Sequence, residues 1–321
     1  MSTPRRQHYV PQTYLNNFDN YSSKQPHVFT LSKSNSKIYN AAVEDVAVEK
    51  HFYTLHKNNP SKTDEEKYAW ENHYARHIEP QLSALVQYLL MTCNSSLIQD
   101  NAVILSKQQK ELLSSQLLAQ LLRGKSARSY TNELYREQLP IVTNSIKRVI
   151  PSSDTKKQKL LSDFETNNDY FLETSMQAIL YGIADKKSYN VMRDRVFILF
   201  KVLRDPLFVT SDHPVAFVDI ATHNATPFKN GLIQPSTVVF FPLAPNLLLG
   251  LFHPLFRNGI LYKRDCRLQT IEYEQQIDLT QYCNRIQMIQ CNNYVYSQSE
   301  GLLKELINTS NNEPLVFPFN L

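Results

Sequence analysis

Glycine is scarce in this chain: six residues in 321. That leaves no glycine-rich loop to cradle a phosphate, and neither GxGxxG nor a GxxxxGK loop followed by Ser or Thr occurs. The four cysteines, Cys93, Cys266, Cys283 and Cys291, include no CxxC pair, so they are expected to be free thiols in a reducing compartment. Cys283 and Cys291 have neither a second pair nor nearby histidines, which argues against zinc. No apolar run reaches the roughly 20 residues that span a bilayer. The N-terminus is polar and basic without an apolar leader core, so the expected location is the cytoplasm, with no membrane partner. A large excess of one charge is missing too. The net charge of +4 permits contact with nucleic acid without arguing for it. Internal repeats and low-complexity tracts are absent, and asparagine and glutamine are abundant but dispersed.

What is present describes an ordinary globular protein. Hydrophobic residues make up 42% and charged residues 20%, with 18 Tyr and 16 Phe to fill a core. A chain of this length buries a large core, as one big domain or two intimate ones. No Pro/Gly/Ser-rich linker divides it, which favours one continuous unit over residues 1–321.

The densest stretch lies at the start, from Arg5 through His8-Tyr9-Val10-Pro11 to Tyr14, Leu15 and Phe18. Pro11 removes a donor and biases Val10 toward extended geometry, so His8 to Val10 approach as extended chain. Tyr14, Leu15 and Phe18 suit one or two turns of helix with a buried face. Such anchors would fix an N-terminus that otherwise frays. His8 then reads in two ways: an anchored imidazole serving as base, acid or ligand, or a core cap bonded to a carbonyl.

Further along, His27–Leu31 and Lys37–Tyr39 read as a pair of short strands, Val43–Val48 and His51–Leu55 as further extended pieces, and the polar stretch from Lys57 to Asp64 as a loop. A helix is expected from Thr63 or Asp64, where Thr63 and Glu66 have capping-box spacing. Its apolar stripe is Tyr74, Ile78, Leu82, Leu85 and Leu89, and Pro80 is expected to kink it. Glu71 projects onto that stripe and needs a partner, because burying an unpaired charge is costly. His73 and His77, on another face and outside any HExxH, read as a solvated pair. Lys107–Leu122 is the clearest helix, with Gln116, Gln120 and Arg123 lining one face beside its leucines. Arg123 has four readings: a partner for Glu71, a bidentate holder of an anion, a complement to the helix C-terminus beside Gly124, or simply a member of a salt bridge.

Helices continue through residues 129–190, one of them over Phe164–Tyr181. The character changes near Arg195: Val196–Leu203 and Leu207–Thr210 read as buried strands. The second leads into Ser211-Asp212-His213-Pro214-Val215, a polar proline turn of the kind that presents functional side chains. Asp212 reads as a metal ligand, a group orienting His8, or a cap for its own turn. Thr237–Phe241 and Leu247–Leu251 are expected to pair, followed by a helix over Gln275–Gln287, a strand over Asn293–Ser297 and a docking apolar tail. The expected fold class is α+β: short N-terminal strands, a helical middle over 63–190, and a mainly antiparallel sheet over 195–300.

The residues His8-Tyr9-Val10-Pro11 with Tyr14, Leu15 and Phe18, then Phe52-Tyr53, Glu71, Gln120 with Arg123, Thr210–Val215, Pro242-Leu243-Ala244-Pro245, Asn284 and Tyr296-Ser297 resemble DUF4238, a family of bacterial proteins of uncharacterised function. The resemblance covers most of the chain, and the first and the aspartate-proline motifs are its specific parts. His213 stands where asparagine is more usual, and Gly124-Lys125 where Thr-Pro usually follows the arginine. The resemblance therefore gives His213 no role and leaves Asp212 its standing. It implies no established chemistry. It does collect one set: His8, Glu71, Gln120, Arg123 and Asp212.

If those five converge, Glu71 and Asp212 are the expected ligands of a divalent ion, Mg²⁺ or Mn²⁺. His8, Gln120 and Arg123 are then the expected catalytic residues, His8 as base or ligand and Arg123 stabilising developing charge. The corresponding function is a metal-dependent phosphodiesterase or nuclease acting on nucleic acid or a nucleotide, with a place in defence against phage. The alternative is a non-catalytic binding or sensor protein in which the same residues form a structural network.

Overall fold

The computed structural model describes residues 6–55, 61–151, 153–166, 185–205, 207–227, 231–256, 261, 263–310 and 317. Its architecture is α+β, with a helical middle between N-terminal strands and a strand-rich C-terminal half. The helix expected over Phe164–Tyr181 falls mostly outside the described residues.

The opening residues form β1 (Arg6–His8), a single helical turn α1 (Gln12–Leu15) and a 3₁₀ turn, Asn16–Phe18. Tyr14, Leu15 and Phe18 are all buried, each contributing roughly 1.5–3 kcal/mol of apolar burial. The Tyr14 hydroxyl bonds Thr210 Oγ1 at 2.7 Å and donates to the Pro242 carbonyl at 2.5 Å, while its ring stacks on Phe241 at 5.0 Å. One aromatic thus fastens the N-terminus to strands more than 190 residues away. β2 (His27–Ser32) and β3 (Ile38–Ala42) form the expected antiparallel pair. β4 (Val48–Lys50) pairs with β1. His51–Leu55 is not the extended piece expected. It turns, with His51 at φ 57°, and the Thr54 N–H returns to the His51 carbonyl.

The capping box at Thr63 and Glu66 opens α2 (Asp64–Lys67). The chain continues as α3 (Ala69–His73), a π-helical turn over Tyr74–Ile78, and α4 (Glu79–Asn94). The irregularity expected at Pro80 is therefore a widened turn just before the proline. A second capping box, Ser106 with Gln109, opens α5 (Lys107–Arg123), and α6 (Lys125–Val149) follows after a break at Gly124. Among the described residues, α7 (Thr155–Thr166) and α8 (Lys186–Arg193) are the remaining helices of the middle.

The central sheet has five strands: β5 (Val196–Lys201), β7 (Ala216–Asp219), β8 (Thr237–Ala244), β9 (Leu247–Phe252) and β10 (Arg267–Thr270). Their order is β10-β5-β9-β8-β7, antiparallel except for the β10–β5 pair. β8 and β9 are buried along their whole length, as a sheet covered on both faces requires. Gly250 lies in β9 between the rings of Phe200 and Phe252. A methyl group there would sit 2.7 Å from Phe200 and 3.1 Å from Phe252. Gly250→Ala is expected to cost about 1–3 kcal/mol by overpacking, measured by denaturant unfolding.

The run Leu207–Thr210 supplies only a two-residue strand, β6 (Thr210–Ser211). It edges a four-stranded sheet with β11 (Tyr294–Ser297), β2 and β3. What holds this stretch instead is α9 (Tyr273–Gln290), through side-chain amides. Asn284 accepts from the Val209 N–H at 2.9 Å and donates to the Leu207 carbonyl at 2.9 Å. Gln287 accepts from the Ser211 hydroxyl at 2.6 Å and donates to the Pro214 carbonyl at 3.0 Å. Gln290 accepts from the Phe217 N–H and donates to the Phe217 carbonyl. Spaced three apart, these amides supply the hydrogen bonds that a sheet neighbour would otherwise provide. α10 (Glu300–Ser310) follows β11, and Phe317 of the tail packs on Tyr282 and Phe256.

Candidate polar pocket between the N-terminal segment and the interrupted helix

Arg123 ends α5 and is 2% exposed. Its Nη2 donates to the Glu79 carboxylate at 2.7 Å and to the His8 carbonyl at 2.6 Å, and its Nε donates to the Tyr53 hydroxyl at 3.1 Å. The Tyr53 hydroxyl donates in turn to the Arg123 carbonyl, and the guanidinium lies 4.4 Å from the centre of the Tyr74 ring. One reading paired Arg123 with Glu71 and another left it in a plain salt bridge; the ion pair is made with Glu79. Nothing in the sequence singled out Glu79 apart from its neighbour, the interrupting Pro80.

In front of this ion pair lies a pocket of about 500 Å³ lined by Arg6, His8, Gln12, Thr13, Glu44, Glu71 and Glu79. Every lining residue carries a hydrogen-bonding side chain. Arg6 is committed elsewhere, to the Asp45 carboxylate at 2.6 Å and the Glu44 carbonyl at 2.9 Å. His8 is held at both ring nitrogens: Gln12 Nε2 donates to Nδ1 at 3.3 Å, and Nε2 donates to the Glu44 carbonyl at 3.2 Å. Burial lowers the imidazole's pKa, against the pull of the Glu44 carbonyl and Glu79. The carbonyl bond of the second sequence reading is present, and the ring also lines the cavity.

Glu71 is the unusual member. Its Oε2 is buried with no hydrogen-bond partner. Burial pushes its carboxyl up to about 7, against the pull of Arg123 and with a push from Glu79. The two carboxylates therefore have opposite surroundings, one ion-paired and one desolvated, which is how a proton donor and an anion are set side by side. A carboxyl raised in the folded state holds its proton more tightly there than in the unfolded chain. The parent should lose stability relative to Glu71→Gln as pH rises from about 4.5 through about 7. Thermal unfolding midpoints of the two proteins, taken across that range, measure the difference.

The rest of the expected set does not join this pocket. Gln120 is 3% exposed, and its Nε2 donates to the Tyr9 carbonyl at 3.1 Å, so it braces the N-terminal segment from behind. Arg123 likewise acts through Glu79 and does not line the cavity. Asp212 is fully buried. Its carboxylate accepts the backbone N–H groups of Asn292, Asn293 and Tyr294 at 2.7, 2.8 and 3.2 Å. Burial pushes this carboxyl up to about 6, although those three donors pull it down. Asp212 thus fixes the turn between α9 and β11, and is positioned neither to orient His8 nor to share an ion with Glu71. Of the expected metal pair, Glu71 lines the pocket and Asp212 does not, so the pocket wall holds one of the two. Among the described residues no group of three or more His, Cys, Asp or Glu could hold a metal ion. His213 is buried beside Gly124, where burial lowers its imidazole to about 4. His73 and His77 form an exposed pair with tilted rings whose centres lie 5.4 Å apart.

A larger cleft of about 790 Å³ opens at the start of α5. Its charges largely pair off, Lys110 with Asp265 at 2.8 Å and Arg193 with Asp194 at 2.7 Å, and it contains none of the expected site residues. Among the described residues no helix is long and apolar enough to cross a membrane.

Comparison with known proteins adds one assignment. No curated protein and no solved structure is significantly similar to the chain. A family model described as a protein of unknown function, DUF4238, matches residues 6–301, which include the pocket, the Arg123 brace and the Asp212 turn. The chain belongs to the DUF4238 family.

Proposed function

We propose that the chain is a hydrolase that breaks a bond at the anomeric carbon of a sugar, a sugar–oxygen or sugar–nitrogen linkage, by two-carboxylate catalysis. The observation that carries this reading is the contrast within one cavity: Glu79 ion-paired to Arg123 at 2.7 Å, and Glu71 with a buried, unpartnered oxygen. Glu71, protonated near neutrality, donates its proton to the leaving oxygen or nitrogen. Glu79 faces the positive charge that develops on the sugar ring. Water then adds to the anomeric carbon and returns a proton to Glu71, so the net change is bond plus water to sugar hydroxyl plus protonated leaving group. Gln12 and Thr13 offer hydrogen bonds to substrate hydroxyls, with His8 holding Gln12 in place. With Glu44, Glu71 and Glu79 in the wall and Arg6 turned to Asp45, the lining favours a neutral hydroxylated group over a bare phosphate. Nucleosides, and nucleotides whose phosphates stay outside, fall within this class.

The test is a panel of nucleosides, nucleotides and aryl glycosides incubated with purified protein. Glu71→Gln should slow hydrolysis by about 10²–10⁴-fold where the leaving group needs a proton, and much less for nitrophenyl substrates, which leave without one. Glu79→Gln should slow both kinds. Absence of hydrolysis across the whole panel would sink the proposal.

Two other readings have some support. A binding or sensor protein is favoured by the bonds of Arg123, Gln120 and Asp212 to backbone groups of distant segments. A metal-dependent phosphodiesterase or nuclease, employing Mg²⁺ or Mn²⁺ in phage defence, draws on the acidic wall alone. Cleavage of a nucleic-acid panel that depends on added Mg²⁺ or Mn²⁺ would favour it over the glycosidic reading.

A further inference from the structure

Glu71 and Glu79 are eight residues apart, a spacing that in a regular α-helix would splay their side chains rather than align them. An α-helix advances about 100° per residue, so eight residues leave two side chains about 80° apart, while seven leave them about 20° apart. The helix reconciles the two by widening once. Over Tyr74–Ile78 it is π-helical, and the Glu79 N–H bonds the Tyr74 carbonyl five residues back instead of four. A π turn of this kind absorbs one extra residue. The next residue supplies a cause. Pro80 has no N–H for the carbonyl of Arg76, and its ring would crowd that carbonyl in a regular α-helix.

We infer that Pro80, through the π turn it imposes, is the positioning residue that keeps Glu71 and Glu79 facing one pocket. Pro80 is exposed and does not line the cavity. Its consequence for catalysis rests on the two-carboxylate reading, but its effect on register does not. In Pro80→Ala the missing N–H is restored and the turn can close to α geometry with the extra residue still present. That rotates α3 by about 100° relative to α4 and carries Glu71 out of the pocket. Deleting Ala75, which is exposed in the same turn, removes the extra residue and should restore the register in the Pro80→Ala background.

The experiment follows the Glu71 carboxyl carbon by ¹³C NMR from pH 4 to 9 in the parent, in Pro80→Ala, and in Pro80→Ala with Ala75 deleted. The parent should titrate near about 7, Pro80→Ala in the ordinary carboxylate range of about 4–5, and the deletion variant close to the parent again. An unchanged titration in Pro80→Ala would overturn the inference, as would a deletion variant that does not recover. If Pro80→Ala fails to fold, a folded deletion variant with parental titration supports the inference and an unfolded one overturns it. The titrations do not depend on turnover. A parent that hydrolyses nothing yet shows this pattern removes the proposed function and leaves the register device standing.

Discussion

Arg123→Met is expected to destabilise the chain by about 3–5 kcal/mol, the cost of removing one partner from a buried ion pair. The substitution leaves Glu79 without its cation, at a side-chain exposure of only 27%, and takes a donor from the His8 carbonyl and from the Tyr53 hydroxyl. Arg123→Lys should recover little, because an ammonium cannot reproduce a planar fork that reaches Glu79, His8 and Tyr53 together. Denaturant unfolding of the parent, Arg123→Met, Glu79→Gln and the double variant gives the coupling between the two side chains. A double variant as unstable as the sum of the singles would mean the pair is not the brace described here. Because the His8 carbonyl belongs to β1, the same variant should also free the N-terminal segment, which amide exchange over residues 6–10 would register as lost protection.

The second large effect is expected at Asp212. Asp212→Ala removes three hydrogen bonds to backbone donors in a fully buried turn. Bonds to a charged group contribute about 1.5–3 kcal/mol each, and the donors left behind are unsatisfied, so a loss of at least about 3 kcal/mol is expected. Asp212→Asn keeps an acceptor and should lose less. If Asp212 were instead a metal ligand, Asp212→Ala would retain most of its stability in metal-free buffer. An unfolding free energy within about 1 kcal/mol of the parent would therefore contradict its role as the support of the α9–β11 turn.

Local chemistry made several elements legible in advance. The capping box at Thr63, the strand pair at His27–Ser32 and Ile38–Ala42, and the β8–β9 pair follow from side chains within a few residues of one another. The anchoring of Tyr14, Leu15 and Phe18 was legible as apolar spacing, though not the bonds from Tyr14 to Thr210 and Pro242. Leu207–Thr210 misled because its apolar run was read as a strand, whereas the amides of α9 occupy most of the backbone positions a neighbouring strand would fill. The site divided in the same way. His8 and Glu71 were found and share the pocket. Gln120, Arg123 and Asp212 were found as polar residues in apolar surroundings, a signal that marks structural braces as readily as catalytic groups. Glu79 was missed because the stripe was followed through Tyr74, Ile78 and Leu82, and Glu79 lies off it beside Pro80.

From the sequence alone came membership of DUF4238, the α+β class, and three buried polar residues, Gln120, Arg123 and Asp212, because family motifs, hydrophobic periodicity and capping are local properties of the chain. The tertiary structure alone decided which of those residues meet: Arg123 with Glu79 and the His8 carbonyl, Asp212 with the Asn292–Tyr294 backbone, Glu71 with an empty space. The physical reason is that a charge is placed by the partners that compensate its desolvation. Those partners lie 44 to 115 residues away along the chain, and no local pattern specifies them.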